Sequence, residues 1–139
     1  MNNLLPETVR LPRQLVNLIL EHVQGSPAAE VCGLIAAGDD DALSCYPIAN
    51  RAEDSAHRYR MDPQQQVDAM RQMRERNQQL FAIYHSHPTS KAAPSAIDIA
   101  DADYPEALYL IVSLNIRGVL EMRGFRIRDG RSIEIALSL

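Results

Sequence analysis

The sequence predicts a single α/β domain in which helices flank a mixed, mostly antiparallel sheet of about six strands. The chain has 139 residues, which is the size of one ordinary domain. Short apolar runs bounded by turn residues surround two segments of helical periodicity, and no linker, repeat or low-complexity tract separates them. We therefore expect residues 1–139 to form one domain with a substantial buried core.

The N-terminal half predicts one helix followed by a hairpin. A helix of about 12 residues is expected between Pro12 and Gly25, which suit the start and the end of a helix. Its apolar residues recur at helical spacing: Leu11, Leu15, Leu18, Ile19 and Val23. The segments "VCGLIAAG" and "ALSCYPIAN" predict the two strands of the hairpin. Pro47 favours an edge position or a bulge for the second strand, because proline cannot donate a ladder hydrogen bond.

A second helix is predicted to begin where Asp62 precedes Pro63, a good N-cap and first-turn pair. Val67, Met70 and either Met73 or Arg74 are expected on its buried side.

Three further segments of the C-terminal half predict strands. "LFAIYH" and "LYLIVSL" are short apolar runs typical of buried strands, and residues 118–139 predict a final hairpin. Asp129-Gly130 is a strong signal for its turn. Ile133, Ile135 and Leu137 alternate with polar or small residues, which indicates a strand with one buried face.

Composition excludes several classes of partner. The net charge of −4 and the isoelectric point of about 5.5 argue against nucleic-acid binding. No apolar run is long enough to span a membrane, and the N-terminus lacks the pattern of a signal peptide, so a cytoplasmic protein is expected. Cys32 and Cys45 are interpreted as free thiols in apolar surroundings, although a disulfide between them stays open.

The stretch "YHSHPTSKAAPSAID" carries the groups that suggest chemistry. His85 and His87 stand one residue apart at the end of a predicted strand, so their side chains project from the same side. Pro88 ends that strand, and the segment before Asp98 is long enough to curl back. Two imidazoles and one carboxylate with an open fourth position are typical of a catalytic zinc site, although iron or manganese would also accept these ligands.

Two more residues are candidates for catalysis. Glu30 lies at the entrance to a buried strand and is a candidate general base, and Ser95 is a candidate to stabilise an oxyanion. Each residue also has a simpler interpretation. Glu30 could be a surface charge, Ser95 could be the N-cap of a helix that begins near Ile97, and Asp98 could favour its first turn.

The joint spacing resembles a known family. His85-Ser86-His87, then "PTSKAAP", then Ser95-Ala96-Ile97-Asp98, with Glu30 upstream, resembles the JAMM signature of the JAB1/MPN metalloprotease family. "PIANRAEDSAHRYRMDP" and "YPEALYLIVSL" extend this similarity over most of the chain. The resemblance implies an MPN/JAMM-like, cytidine-deaminase-like fold.

The resemblance also implies roles for these residues. His85, His87 and Asp98 would bind one Zn²⁺ per chain. Glu30 would be the general base and then the acid that protonates the leaving amine, and Ser95 would help stabilise the tetrahedral intermediate. The reaction implied is hydrolysis of a peptide or isopeptide bond.

The short chain resembles the stand-alone prokaryotic branch of that family, which is associated with ubiquitin-like sulfur carrier proteins. The implied partner is such a carrier with a C-terminal Gly-Gly, without nucleic acid or membrane. Two alternatives stay open: a JAMM peptidase for other peptides, such as those of cell walls, and a non-catalytic MPN binding module. The apolar strands and the final hairpin could support a homodimer.

Overall fold

The computed structural model describes residues 7–139, which form seven strands and three helices. In chain order these are β1 (Thr8–Arg10), α1 (Arg13–Gln24), β2 (Cys32–Ala37), β3 (Leu43–Ile48), α2 (Pro63–Glu75), β4 (Gln79–His87), α3 (Ala96–Asp101), β5 (Leu108–Ser113), β6 (Glu121–Arg128) and β7 (Arg131–Ser138). Residues 1–6, which belong to the segment tested for a signal peptide, lie outside the described range. Within residues 7–139, no helix is long and apolar enough to cross a membrane.

All seven described strands form one sheet in the order β1-β7-β6-β5-β4-β2-β3. The β1–β7 and β4–β5 pairs are parallel and the others are antiparallel, which confirms a mixed, mostly antiparallel sheet. The expected count of about six strands omitted β1, because three residues are too few to show a period-2 pattern. β3, which contains Pro47, is an edge strand as predicted.

The central strands β2, β4 and β5 are buried on both faces of the sheet. Alternate residues of a strand point to opposite faces, so in β2 Leu34 packs with the core on the α2 side and Ile35 packs with the core on the α1 side. α1 contributes Leu15, Ile19 and Val23 to one core. α2 contributes Ala69 and Met73 to the other.

The local signals for helix ends and turns are confirmed. Asp62 is the N-cap of α2, and its carboxylate accepts a hydrogen bond of 2.9 Å from the Gln65 amide. Asp129 and Gly130 both have positive φ, 52° and 73°, as a two-residue hairpin turn requires. Cys32 and Cys45 are free, with Cys32 buried, so no disulfide joins them.

Three residues predicted to face the core are instead exposed. Val67 is 60%, Leu18 53% and Ile133 67% exposed. In both long helices, residues spaced by four make the buried stripe, and Leu18 and Val67 fall outside it. Ile133 lies near the turn of the β6–β7 hairpin, whereas the helices pack mainly on β3 and β4.

The aromatic ring of Tyr84 fills the space above Gly33. A Cβ atom at position 33 would overlap the ring atoms of Tyr84, which is fully buried in the neighbouring strand β4. The Tyr84 hydroxyl lies 2.6 Å from Nδ1 of His22, which places that histidine at the boundary of the core. Gly33 is therefore required by close packing.

We expect Gly33→Ala to destabilise the protein by about 1–3 kcal/mol, the typical cost of overpacking a core. Chemical denaturation of the two proteins measures the difference. Gly25→Ala is the matched control, because its Cβ would meet the nearest atom at 3.4 Å and its φ of −69° suits alanine. A Gly33→Ala variant as stable as Gly25→Ala would contradict this account.

Candidate metal centre

The end of β4 presents two histidines on one side of the sheet. His85 and His87 are both buried, and their Nε2 atoms lie 3.1 Å apart. β4 is held on both sides, because β2 pairs with it in antiparallel and β5 in parallel orientation. The expectation that these two imidazoles converge is confirmed.

The helix α3 brings Asp98 to the same point. The Ser95 hydroxyl oxygen accepts a 3.0 Å hydrogen bond from the Asp98 amide, and the Asp98 carboxylate accepts one of 2.9 Å from the Ser95 amide. This reciprocal capping box orients the Asp98 side chain. Its Oδ2 atom lies 3.1 Å from Nε2 of His85 and 3.1 Å from Nε2 of His87.

The donor atoms fit a bound metal ion. Ligands about 2.0–2.1 Å from a tetrahedral zinc ion lie about 3.3 Å from one another, close to the 3.1 Å spacings between His85, His87 and Asp98. In neutral His87, the Nδ1 atom donates to the Lys91 carbonyl at 2.8 Å, so Nε2 presents a lone pair. A lone pair and a carboxylate oxygen at this distance repel each other unless a proton or a metal ion lies between them, and the donor set suits a metal ion.

The two imidazole rings are oriented by different contacts. The Lys91 carbonyl holds His87 through its outer nitrogen, as is usual for a metal-binding histidine. Nδ1 of His85 is buried and has no hydrogen-bond partner among the described residues. Its ring is stacked instead on Tyr59, with the ring centroids 4.5 Å apart.

Glu30 joins this cluster from the strand on the other side of β4. Cys32 is paired with His85, and the Ser86 amide donates to the Val31 carbonyl at 2.9 Å. In an antiparallel pair this register brings Glu30 level with His87. Glu30, His85, His87 and Asp98 are all buried, and their potential ligand atoms lie within 4.8 Å of one another.

The Glu30 side chain is buried without a hydrogen bond at Oε1 to any described residue. Burial raises the pKa of Glu30 to about 7, with the nearby His87 acting in the opposite direction. A carboxyl group with such a pKa can both take and give a proton near neutral pH.

The pKa values of the other three groups follow from burial and mutual contact. Burial lowers the pKa of His85, which favours the neutral form that binds metals. Burial also acts against charge on His87 and Asp98. Burial is the largest single effect on each, but the hydrogen bonds and charges of their neighbours together outweigh it, so the pKa of His87 is raised and that of Asp98 is lowered.

The structure places Ser95 at the exposed N-terminus of α3, where it is the N-cap. The simpler interpretation of Ser95 and Asp98, a helix cap and a first-turn carboxylate, is thus confirmed. It is compatible with metal binding, because the same capping box orients the Asp98 carboxylate. The role of Ser95 towards an oxyanion stays a prediction.

Sequence reasoning assigned no role to Tyr59, which lies between the cluster and an open cleft. The cleft has a volume of about 480 Å³, and its lining includes Tyr59, Met61, Ile97, Asp98 and Tyr104. The segment of Tyr59 has no helical or strand periodicity. The one sequence signal for Tyr59 is its position within "PIANRAEDSAHRYRMDP", the segment that resembles the JAMM family.

Comparisons with known proteins agree with this geometry. Residues 12–127 match the family of prokaryotic homologs of the JAB domain. The chain is 37% identical over 102 residues to a desampylase of Haloferax volcanii, covering 68% of this chain and 73% of that protein. It is 35% identical over 122 residues to the CysO-cysteine peptidase of Mycobacterium tuberculosis, covering 86% and 83%.

A solved structure shares the fold. The protein DSY2949 from Desulfitobacterium hafniense superposes with a TM-score of 0.79 at 30% identity, covering 92% of this chain and 90% of that one. The match to the family model spans most of the chain, and the two curated relatives are named for peptidase and desampylase activity. This chain therefore belongs to the prokaryotic JAB family, and it is a hydrolase of the peptidase class.

Proposed function

We propose that this protein is a zinc metallopeptidase that cleaves the bond after the C-terminal Gly-Gly of a ubiquitin-like sulfur carrier protein in the cytoplasm. The observation that carries the proposal is the buried cluster of Glu30, His85, His87 and Asp98. The names of the relatives support the substrate class, because one is a desampylase and another acts on CysO-cysteine.

His85, His87 and Asp98 would hold the zinc ion, since their donor atoms are 3.1 Å apart and buried. Zinc bound there would supply Lewis-acid polarisation of the scissile carbonyl and of water. The ring stacking of Tyr59 and the Lys91 carbonyl would keep the two imidazoles oriented.

Glu30 would move the proton during hydrolysis. It would accept a proton as water adds to the carbonyl carbon, and then donate that proton to the amine as the C–N bond breaks. Burial raises its pKa, which favours taking up the proton, and a bound dication nearby would act in the opposite direction and favour giving it up. The Ser95 hydroxyl oxygen accepts a hydrogen bond from the Asp98 amide. The hydroxyl proton of Ser95 therefore stays available to donate to a developing oxyanion.

The cleft next to the cluster would receive the tail of the carrier. It is lined by Tyr59, Met61 and Ile97 and reaches Asp98, so an extended tail lying in it would present its last carbonyl to the cluster. Two glycines at that point would let the backbone approach closely, because they have no side chain.

The direct test is cleavage of a sulfur carrier that bears a short extension after its Gly-Gly. We expect the zinc-loaded protein to cut after the second glycine, with mass spectrometry locating the bond. Replacing that glycine by valine in the carrier should abolish cutting, because a branched side chain would stand beside the scissile carbonyl. Zinc-loaded protein that cuts no carrier of a Gly-Gly panel would overturn the proposal.

Glu30→Gln should lower kcat about 10²- to 10⁴-fold, the usual contribution of a general acid–base group. The amide keeps the shape of the side chain but cannot carry the proton. Zinc content, measured by metal analysis, should stay at one per chain. Glu21→Gln on the exposed surface of α1 is the matched control and should keep wild-type activity. Full activity in Glu30→Gln would exclude it as the base.

Zinc should stabilise the metal-free protein, because an ion that binds only the folded state raises its free energy of unfolding. At 100 times the Kd this gain is about 2.7 kcal/mol. Thermal melts with and without zinc measure it. His87→Ala should lose most of the gain. His57→Ala should keep it, because His57 is exposed and its ring bonds to Asp54. Equal stabilisation of both variants would place the ion elsewhere.

A further inference from the structure

Glu30 is positioned through its backbone. It precedes β2, where its own amide and carbonyl bond to loop residues and not to β4, and its Oε1 atom has no partner among the described residues. Its amide donates to the Ser55 carbonyl at 2.6 Å, and its carbonyl accepts from the side-chain amide of Asn50 at 2.9 Å. The Asn50 side chain is therefore the group that holds the carbonyl of Glu30.

Asn50 uses all of its hydrogen-bonding capacity. Besides Glu30, its Nδ2 atom donates to the Arg58 carbonyl at 3.0 Å. Its Oδ1 atom accepts from the amides of Ala52 at 2.9 Å and Arg60 at 3.0 Å. Two donors and two acceptor sites are the full capacity of this side chain, so any replacement loses at least one bond.

These bonds join Glu30 to the segment that covers His85. Arg58 and Arg60, which Asn50 binds through their backbones, flank Tyr59, and the Tyr59 ring is stacked on His85. The Val31 amide, which belongs to the same peptide unit as the Glu30 carbonyl, donates to the buried Ser86 hydroxyl at 2.8 Å. Loss of the Asn50 bond would thus free the carbonyl side of this peptide, while the Ser86 bond keeps β2 in place.

We propose that Asn50 is a positioning residue that holds Glu30 at its working distance from the substrate carbonyl. This inference rests on the proposed function, in which Glu30 moves the proton. Asn50 touches none of the donor atoms of His85, His87 or Asp98, and the segment of Tyr59 has its own anchor, because the Arg51 amide donates to the Arg60 carbonyl at 2.8 Å. We therefore expect Asn50 to act on the proton-transfer step rather than on ion binding.

Asn50→Asp is the sharpest variant, because it keeps the acceptor for Ala52 and Arg60 and replaces only the donor. A carboxylate oxygen would then face the Glu30 and Arg58 carbonyls and repel them. Gln65→Ala is the matched control: Gln65 accepts a 2.8 Å hydrogen bond from the Ala49 amide, one residue away, without contacting Glu30. Asn50→Ser serves as a second variant if Asn50→Asp does not fold.

The measurements are kcat and KM on an extended Gly-Gly carrier, zinc affinity by competition with a chromophoric chelator, and the melting temperature. We expect kcat of Asn50→Asp to fall about 10- to 100-fold, as misplacement of a reacting group by about 1 Å does. KM and zinc affinity should stay within about twofold of wild type, because the variant still accepts from the Arg60 amide and the Arg51 amide still holds the Arg60 carbonyl, which keeps the segment of Tyr59 in place. Gln65→Ala should match wild type in all three.

Three outcomes would overturn the inference. Unchanged kcat would show that Glu30 does not depend on Asn50. A rise in KM alone would assign Asn50 to the cleft segment, and a loss of zinc affinity would assign it to the ligands. Wild-type turnover by Glu30→Gln would instead overturn the proposed function itself, which keeps the two failures distinguishable.

Discussion

The arrangement of the strands around β4 depends on one constraint, which is that two imidazoles and two carboxylates lie close together in a buried cluster. Three donor atoms lie 3.1 Å from one another, and Glu30 completes the cluster within 4.8 Å. Burying ionisable groups costs free energy unless opposite charge compensates it. A dication at this point would compensate both carboxylates, which is the physical reason why the cluster is best explained as a metal centre.

The sheet supplies the rigidity that such a cluster needs. β4 carries His85 and His87 and is paired on both sides, with β2 and β5. The register of β2 against β4 brings Glu30 level with His87, and the Ser86 hydroxyl between the two histidines fixes the amide of Val31. A slip of one residue would turn Glu30 to the other face, so register is what assembles the site.

Local features of the fold could be predicted from the sequence, and features set by distant contacts could not. The Asp62 cap, the Asp129-Gly130 turn and the His85-x-His87 pair depend on neighbours in the chain. Val67 was wrongly predicted to be buried, because a short amphipathic pattern does not say which of its apolar residues meet the sheet.

The same distinction holds for the site. The spacing of His85, His87 and Asp98 indicated a metal, and the place of Glu30 at the entrance to a buried strand, together with the family resemblance, pointed to Glu30. The sequence assigned no role to Asn50 or Tyr59. Asn50 is hydrogen-bonded to Glu30, 20 positions away, and Tyr59 is stacked on His85, 26 positions away. Contacts at such separations produce no periodic pattern in the sequence. Polar side chains that anchor a loop to a site become visible only in three dimensions.

X-ray absorption at the zinc edge tests the central claim most directly, because it reports the ligands of the ion in the purified holoprotein. The account predicts one zinc per chain bound only by nitrogen and oxygen atoms at about 2.0–2.1 Å, with scattering from two imidazole rings that falls to one ring in His87→Ala. A zinc–sulfur distance of about 2.3 Å, or two rings retained in His87→Ala, would contradict it.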